Sequence, residues 1–444
     1  MSAMDLELDG ARVLVLGLGM SGVSAARFCA ARGARVVAAD ERPDAPRAAE
    51  LDRGVELRIG APFPDPAAFD LVVPSPGVPR ARWAERARRA LGDVELAFRA
   101  LRVPVVAVTG TNGKSTTVRL VEAMLRAAGL RADAAGNVGV PALDLVGRPL
   151  DVAVLEVSSF QLEAVERFRP RVGVVLNVTE DHLDRHGSLA AYAAAKARLF
   201  ARQGPEDAAV ANGDDPLALK VAAAGRGRRI VFRRAGPVAD GAWWEAGAIA
   251  LARGGEVERL PLDGLGAPAL PPRENVLAAL LAATAAGAEA RRALAALADF
   301  AGLPHRLERV AERAGVAWVD DSKATNPGAA EFALDAQRAP VVWIAGGRDK
   351  DLSFDALAER ARGRVRRALL IGEAAGKIAR ALEGRVPHEV VGTLEAAVRR
   401  AAEVAAPGDV VLLAPGCASF DQFQSYAERG ERFREAVRAL GPEA

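Results

Sequence analysis

Short apolar runs recur along the chain, separated by longer stretches in which small apolar and charged residues mix. Residues 11–16 (ARVLVL) read as a buried strand, followed by the loop Gly17-Leu18-Gly19-Met20-Ser21-Gly22 and an Ala-rich helix. A second strand, Val36 to Ala39, ends at Asp40. Pro-rich loops follow, among them PSPGVP at 74–79, then a helical stretch to about Arg99, and Pro104 marks a first boundary. Residues 105–109 (VVAVT) open another strand–loop–helix unit, with further strands expected at 152–157, 172–176, 208–211 and 229–233. A Gly-spaced, hairpin-like region at 243–262 leads to a long Ala/Leu helix from about Asn275. After Gly302-Leu303-Pro304-His305-Arg306, the second boundary, the alternation resumes with strands near 316–320, 340–345, 367–371, 388–391 and 409–414. Strands alternating with helices, mostly without hairpins, predict an α/β protein of parallel sheets flanked by helices in all three parts. The expected domains are 1–102, 103–303 and 304–444.

Composition narrows the function classes. Hydrophobic residues make up 50% and charged residues 26% of 444, enough apolar material for several cores and too much for a disordered scaffold. Two cysteines exclude a disulfide framework and a Cys-based zinc site, and suit a reducing compartment. A formal charge of +2 makes no electrostatic case for nucleic acid or an anionic membrane. No apolar run reaches the roughly 18 residues of a membrane span. The start is acidic (Asp5, Glu7, Asp9) and unlike a secretory signal, so a cytoplasmic protein is expected. Only six of the 59 basic residues are Lys: 114, 196, 220, 323, 350 and 377. Arg covers a solvated surface equally well but is neither a compact point charge nor ready to lose a proton, so a retained Lys points to chemistry.

Five features carry that chemistry. After the strand 105–109, the turn Gly110-Thr111-Asn112-Gly113 can aim backbone N–H groups at a phosphate, and the following helix adds its positive N-terminal end. Lys114 supplies a point charge for β/γ-phosphates, and Ser115 or Thr116 a hydroxyl for Mg²⁺. The full phosphate-loop pattern asks for Gly where Val108 stands, so this is a shortened variant. Glu156 ends an apolar strand and is either a metal ligand beside the phosphate loop or an edge residue facing solvent. Asp181-His182 follows the next strand, although Mg²⁺ prefers oxygen ligands. Lys196, on a helix with Tyr192, reads by itself as a solvated lysine. The G-x-G-x-x-G of residues 17–22, with Asp40 downstream, would hold NAD, hold another nucleotide, or merely pack a helix on a strand.

In this order, the segments GTNGKST (110–116), GNVG (136–139), EVSSFQLE (156–163), NVTEDHLDRHG (177–187), YAAAK (192–196), GLPHR (302–306), DDSKATNP (320–327), GGRDK (346–350) and APGCASFDQF (414–423) resemble the Mur ligases. These are the ATP-dependent amino-acid ligases of bacterial cell-wall precursor synthesis. The Gly-Lys-Ser-Thr segment is shared with folylpolyglutamate synthetase, whereas SSFQLE and CASFDQF match the D-glutamate-adding branch. The resemblance implies a Rossmann-like N-terminal domain holding UDP, a central phosphate-loop ATPase domain, and a Rossmann-like C-terminal domain completing the ATP and amino-acid site. It implies ATP, two Mg²⁺ ions, and UDP-N-acetylmuramoyl-L-alanine and D-glutamate as small-molecule substrates of a monomer, with an acyl phosphate between them.

Residue by residue, the resemblance places ATP against Gly110, Thr111, Asn112, Gly113, Lys114, Ser115, Thr116, Asn275, Arg306 and Asp321. It places Mg²⁺ on Ser115, Glu156, His182 and Lys196, the last carrying a CO₂-derived carbamate, and makes Lys114, His182 and Lys196 catalytic. Ser21, Asp40, Arg42, Ser75 and Gly77 would face UDP, and Asn137, Ser158 and Gln161 the muramoyl end. Lys323, Thr325, Lys350, Ser419, Phe420 and Tyr426 would surround D-glutamate. Two positions depart from the family pattern: only Asn275 survives of its G-x-H-N-x-x-N, and Glu41 replaces a small hydroxyl residue. The rivals are a nicotinamide dehydrogenase, a non-catalytic nucleotide-binding regulator, folylpolyglutamate synthetase and a ligase for another amino acid. A diaminopimelate-adding ligase usually carries an Asn-Pro-Arg segment that this chain lacks.

Overall fold

Three sheets carry the apolar runs. In the computed structural model, which describes residues 6–441 except Val138, 264–270 and Lys350, the first sheet has four parallel strands. Their spatial order is Glu56–Ile59, Arg35–Asp40, Arg12–Leu16, Leu71–Pro74. The second has nine, in the order Glu256–Pro261, Ala248–Arg253, Gly241–Glu245, Arg228–Arg233, Ala208–Asn212, Val172–Val175, Val105–Thr109, Val152–Glu156, Ala132–Gly136. All its pairings are parallel except those of Ala248–Arg253 with its two neighbours. The third has six: Glu308–Arg313, Val316–Asp320, Val410–Leu413, Val341–Gly346, Val365–Ile371, His388–Gly392. A parallel strand covered by helices on both faces must be apolar on both, which is why VVAVT and VAVLE are buried throughout.

Met1–Val178 with Arg185–Phe300 form one compact unit, and Thr179–Asp184 with Ala301–Ala444 another. Within the first unit, one core runs from the first sheet (Val13, Val15) through the helix Asp93–Ala100 (Val94, Leu96, Ala97) to the second sheet (Ala107, Leu155). A separate core fills the other face of the second sheet around the helix Arg273–Ala285. In the second unit the two faces of the third sheet each carry their own core. Among the described residues no helix is long and apolar enough to cross a membrane.

Two sequence expectations are corrected. The expected helix up to Arg99 begins only at Asp93; before it lies one 3-10 turn, Arg80–Arg82. Residues 89–91 instead run beside Leu71–Pro74, with Val72 N–H donating to Arg89 and Leu91 N–H to Val72. Pairing with an open sheet edge outweighs the helix propensity of an Ala/Arg-rich segment. The third sheet also opens with an unexpected hairpin. Glu308–Arg313 turns back onto Val316–Asp320 through Ala314 and Gly315, both left-handed (φ 47° and 71°), a two-residue turn matched to strand twist.

Candidate active site

Parallel strands deliver the loops after them to one sheet edge, where open α/β sheets bind ligands. In the second sheet Val108 pairs with Glu156 on one side and Val174 on the other, so the 110–113 loop, Glu156 and Asn177 emerge together. Gly113 caps the helix Lys114–Ala127 with φ 85°, and a Cβ there would lie 2.6 Å from Asn275 Oδ1. Only glycine fits, and the fit brings Asn275, the one survivor of the altered segment, against the loop. Asn177, given no role by the sequence reading, braces the turn: its Oδ1 accepts from Thr111 N–H (3.1 Å) and Asn112 N–H (2.8 Å). Lys114 Nζ donates to the carbonyls of Gly110 and Thr111, both at 2.8 Å. Ser115 and Thr116 are buried in the first helical turn.

The second lysine reaches the same loop. Lys196, on the helix Leu189–Ala197, is 1% exposed; its Nζ donates to Gly110 O at 2.8 Å and lies 4.2 Å from the Tyr192 ring centre. That corrects its reading as a solvated helix lysine. Glu156 is 2% exposed and accepts from Asn137 Nδ2 at 3.0 Å, not facing solvent as an edge residue would. A buried carboxylate and a serine hydroxyl at a glycine loop are hard oxygen donors, the set Mg²⁺ favours. His182 belongs to the segment that groups with the second unit; it has φ 54°, and its N–H donates to Asp181 Oδ1 at 2.9 Å.

At the carboxyl edge of the first sheet, Asp40 accepts from Leu18 N–H in the glycine loop (2.8 Å) and from Arg42 Nε and Nη2 (3.1 and 3.0 Å). Burial alone would raise the Asp40 carboxyl, but the Arg42 guanidinium and the backbone N–H groups of Leu18 and Arg42 outweigh it and hold it below its ordinary value. Ser75 Oγ donates to Gly17 O at 2.7 Å, and a Cβ at Gly22 would sit 1.8 Å from that carbonyl, so loop and helix meet in van der Waals contact. A Cβ at Gly77 would meet nothing within 4 Å. Ser158 and Gln161 form a capping box at the helix Ser159–Leu162. The Gln161 amide is engaged at both ends, Oε1 accepting from Ser158 and Nε2 donating to Asp93.

In the second unit Asp320 pairs with Leu413, and Leu413 with Ile344, so Asp321, the 346–349 loop and the 414–419 segment leave adjacent strand ends. Arg306 sits between two left-handed residues, His305 (φ 60°) and Leu307 (φ 48°). Asp320 holds His305 Nδ1 at 2.7 Å, and Asp321 accepts from Leu307 N–H at 3.3 Å. Burial pushes the Asp321 carboxyl up to about 7 although Arg306 lies near it. Lys323 Nζ stands 3.8 Å from the Tyr426 ring centre, and Thr325 N–H donates to Lys323 O. Ser419 is buried and Phe420 is 62% exposed. Lys350 lies outside the described residues. Arg429, which sequence reasoning missed, is fully buried and donates to Ser322 O and Cys417 O, joining the 320–327 and 414–423 segments. Nothing in an Arg-rich helix singles it out. His305, Glu308 and Asp320 also cluster, but Arg434 already pairs with Glu308 and approaches Asp320.

A parallel sheet with a Gly-Lys-Ser-Thr loop, a buried carboxylate and a second buried lysine at one edge defines a nucleotide-binding α/β protein of the phosphate-transferring kind. Family models match in three stretches: the Mur ligase MurD-like N-terminal domain over 11–92, the Mur ligase middle domain over 108–286, and the Mur ligase glutamate ligase domain over 305–417. The chain belongs to the Mur ligase family. It is 49% identical to the UDP-N-acetylmuramoylalanine–D-glutamate ligase of Anaeromyxobacter dehalogenans (96% of this chain, 97% of that one). It is 45% identical to the enzyme of the same name from Pelotomaculum thermopropionicum (97% and 98%). In fold it resembles the pseudomurein peptide ligase type C of Methanothermus fervidus (TM-score 0.60, 17% identity, 97% and 100% covered). It also resembles the UDP-N-acetylmuramate-alanine ligase of Thermotoga maritima (0.60, 18%, 97% and 100%). Mur ligases use ATP and Mg²⁺.

Proposed function

We propose that this chain joins D-glutamate to UDP-N-acetylmuramoyl-L-alanine at the expense of ATP, in peptidoglycan precursor synthesis, and that it works in the cytoplasm as a monomer. The observation that carries the reading is the convergence of Lys114 and Lys196 on the Gly110 carbonyl of a glycine loop. Relatives bearing that activity in their names, 44–49% identical over nearly the whole chain, support it. The alanine carboxylate attacks the γ-phosphorus, the bond to the β-phosphate oxygen breaks, and ADP leaves. The D-glutamate amine then attacks the acyl carbon, inorganic phosphate departs, and the amine loses a proton. Both steps depend on neutralising charge and holding reactants in line.

The loop N–H groups and Lys114 hold the phosphates, while Asn275, Arg306 and Asp321 hold the remainder of ATP. Ser115 and Glu156 supply oxygen ligands for one Mg²⁺, which when bound draws charge from the transferring phosphoryl group. Lys196 bears a carbamate, turning a cation into an oxygen ligand for a second Mg²⁺, and His182 is a nitrogen ligand. Ser21, Asp40, Arg42, Ser75 and Gly77 hold the uridine diphosphate; Asn137, Ser158 and Gln161 lie toward the muramoyl end. Lys323, Thr325, Lys350, Ser419, Phe420 and Tyr426 hold D-glutamate. The test is phosphate release from ATP with UDP-N-acetylmuramoyl-L-alanine and each candidate amino acid in turn. D-Glutamate alone should stimulate it, and equal or greater release with L-lysine or diaminopimelate would overturn the reading.

A further inference from the structure

The segments EVSSFQLE and NVTEDHLDRHG each hold residues that the chemistry above does not use, and these residues meet at Arg185. Arg185 lies on the short helix Leu183–His186 with its side chain 14% exposed. Its Nη2 donates to Glu163 Oε2 at 2.6 Å, and its guanidinium stands 4.6 Å from the centre of the Phe160 ring. The same guanidinium reaches the PSPGVP loop, Nη1 donating to Pro76 O at 3.3 Å and Nη2 to Val78 O at 3.2 Å. Residues 75–78 of that loop form one turn, closed by Val78 N–H donating to Ser75 O at 2.9 Å. Pro followed by Gly at the two central positions suits a type II turn, in which the glycine is left-handed. Gly77 is not left-handed here. The peptide between Pro76 and Gly77 is therefore turned the other way, with Arg185 on its carbonyl.

We propose that Arg185 is a positioning residue for the sugar nucleotide, holding the Pro76–Gly77 peptide so that the Gly77 N–H faces the uridine diphosphate. The inference rests on the function proposed above, which places the uridine diphosphate at Gly77. In a trans peptide the N–H points opposite to the carbonyl, so a donor on Pro76 O fixes where the Gly77 N–H points. Turns of types I and II differ by a flip of this central peptide, and glycine accepts both states. Hydrogen bonds to Pro76 O and Val78 O hold the backbone on both sides of Gly77. Ser75 is held separately, its N–H donating to Leu16 O and its Oγ to Gly17 O, so the dependence on Arg185 falls on Gly77. A planar guanidinium fork serves the two carbonyls and Glu163 at once, which a single ammonium on a flexible stem does not.

The experiment measures Kd and stoichiometry for UDP by calorimetry, with melting temperature and KM for ATP, in wild type, Arg185→Met, Arg185→Lys, Glu163→Ala and the Arg185→Met/Glu163→Ala double variant. Arg185→Met should weaken UDP roughly five- to thirtyfold, because the ligand must then order one residue that the protein no longer orders. Stoichiometry should stay full, and KM for ATP should stay near that of wild type. Arg185→Lys keeps a cation beside Glu163 without the fork; it should weaken UDP as well, and it serves if Arg185→Met does not fold. Glu163→Ala leaves the guanidinium within reach of the loop and should weaken UDP less. The double variant should bind no more weakly than Arg185→Met, as for groups acting in one chain. An unchanged Kd, a loss seen only in stoichiometry or melting temperature, an equal rise in KM for ATP, or additive losses in the double variant would overturn the proposal. Failure of the proposed function looks different: wild type itself would then bind no UDP.

Discussion

Two ammonium groups, from Lys114 and Lys196, meet at the carbonyl of Gly110, and the residue-scale expectations follow from that meeting. If Lys114 faces the transferring phosphoryl group as proposed, Lys114→Ala removes a cation whose interaction there is worth several kcal/mol, so kcat should fall by about two decades or more. Steady-state phosphate release measures it. If Lys196 bears a carbamate, charge is not what it contributes. Lys196→Arg should then be nearly as inactive as Lys196→Ala, and acetate should partly restore the alanine variant alone. Asp321 contributes a pH dependence to the second unit. Its carboxyl rises from 3.8 to about 7 through burial, so the folded chain holds this proton more tightly than the unfolded one. The stability it contributes is full below about pH 4 and is lost as pH rises through 7. Asp321→Asn should therefore melt higher than wild type at pH 8 and no higher at pH 4, while its KM for ATP increases. Thermal scans at the two pH values measure the difference.

At the scale of elements, the helix Asp93–Ala100 has an anchoring acid. Glu95 is fully buried, pairs with Arg99 at 2.6 Å, and accepts the N–H groups of Glu166, Arg167 and Phe168. Glu95→Ala would strip Arg99 of its buried partner and leave three backbone donors without theirs. A loss of about 3–5 kcal/mol is expected, the range for breaking one side of a buried ion pair. Urea denaturation should show it, with Glu95→Gln intermediate because one acceptor remains. The same helix shows how far local pattern reaches. The helix itself was legible in the sequence, but the segment before it was not: residues 89–91 take their conformation from pairing beside Val72, which no local pattern records. The 308–313 strand was missed for a related reason: ERVAER is only half-buried, and its strand character comes from its partner across Gly315.

For the whole molecule, a net charge of +2 gives no broad field to steer three anionic substrates. The site proposed above assigns the selection of D-glutamate to local cations, Lys323 and Lys350, instead. D-Glutamate differs from D-glutamine by one charge, so a site in which Lys350 clamps the side-chain carboxylate should reject the amide. Losing a charge-assisted hydrogen bond of about 1.5–3 kcal/mol corresponds to roughly 10- to 150-fold in kcat/KM. Phosphate release at equal concentrations of the two amino acids gives the ratio, and near-equal rates would remove the clamp.

The sequence by itself determined most of the strands, the glycine loops and the family, but not the strands Glu56–Ile59, Leu71–Pro74, Ala132–Gly136 and Glu308–Arg313. Parallel strands buried on both faces must be continuous apolar runs, and a phosphate loop is contiguous from Gly110 to Thr116. Tertiary structure decided what those loops are made to hold. Lys196 reaches Gly110 across 86 residues of sequence, and Gln161 reaches Asp93 across 68. Asn177 and Arg429 likewise brace segments that no spacing rule connects to them. A buried hydrogen bond between distant residues leaves no period and no motif in the chain. Its partners are chosen by which strand lies beside which, and that is settled only when the sheets assemble.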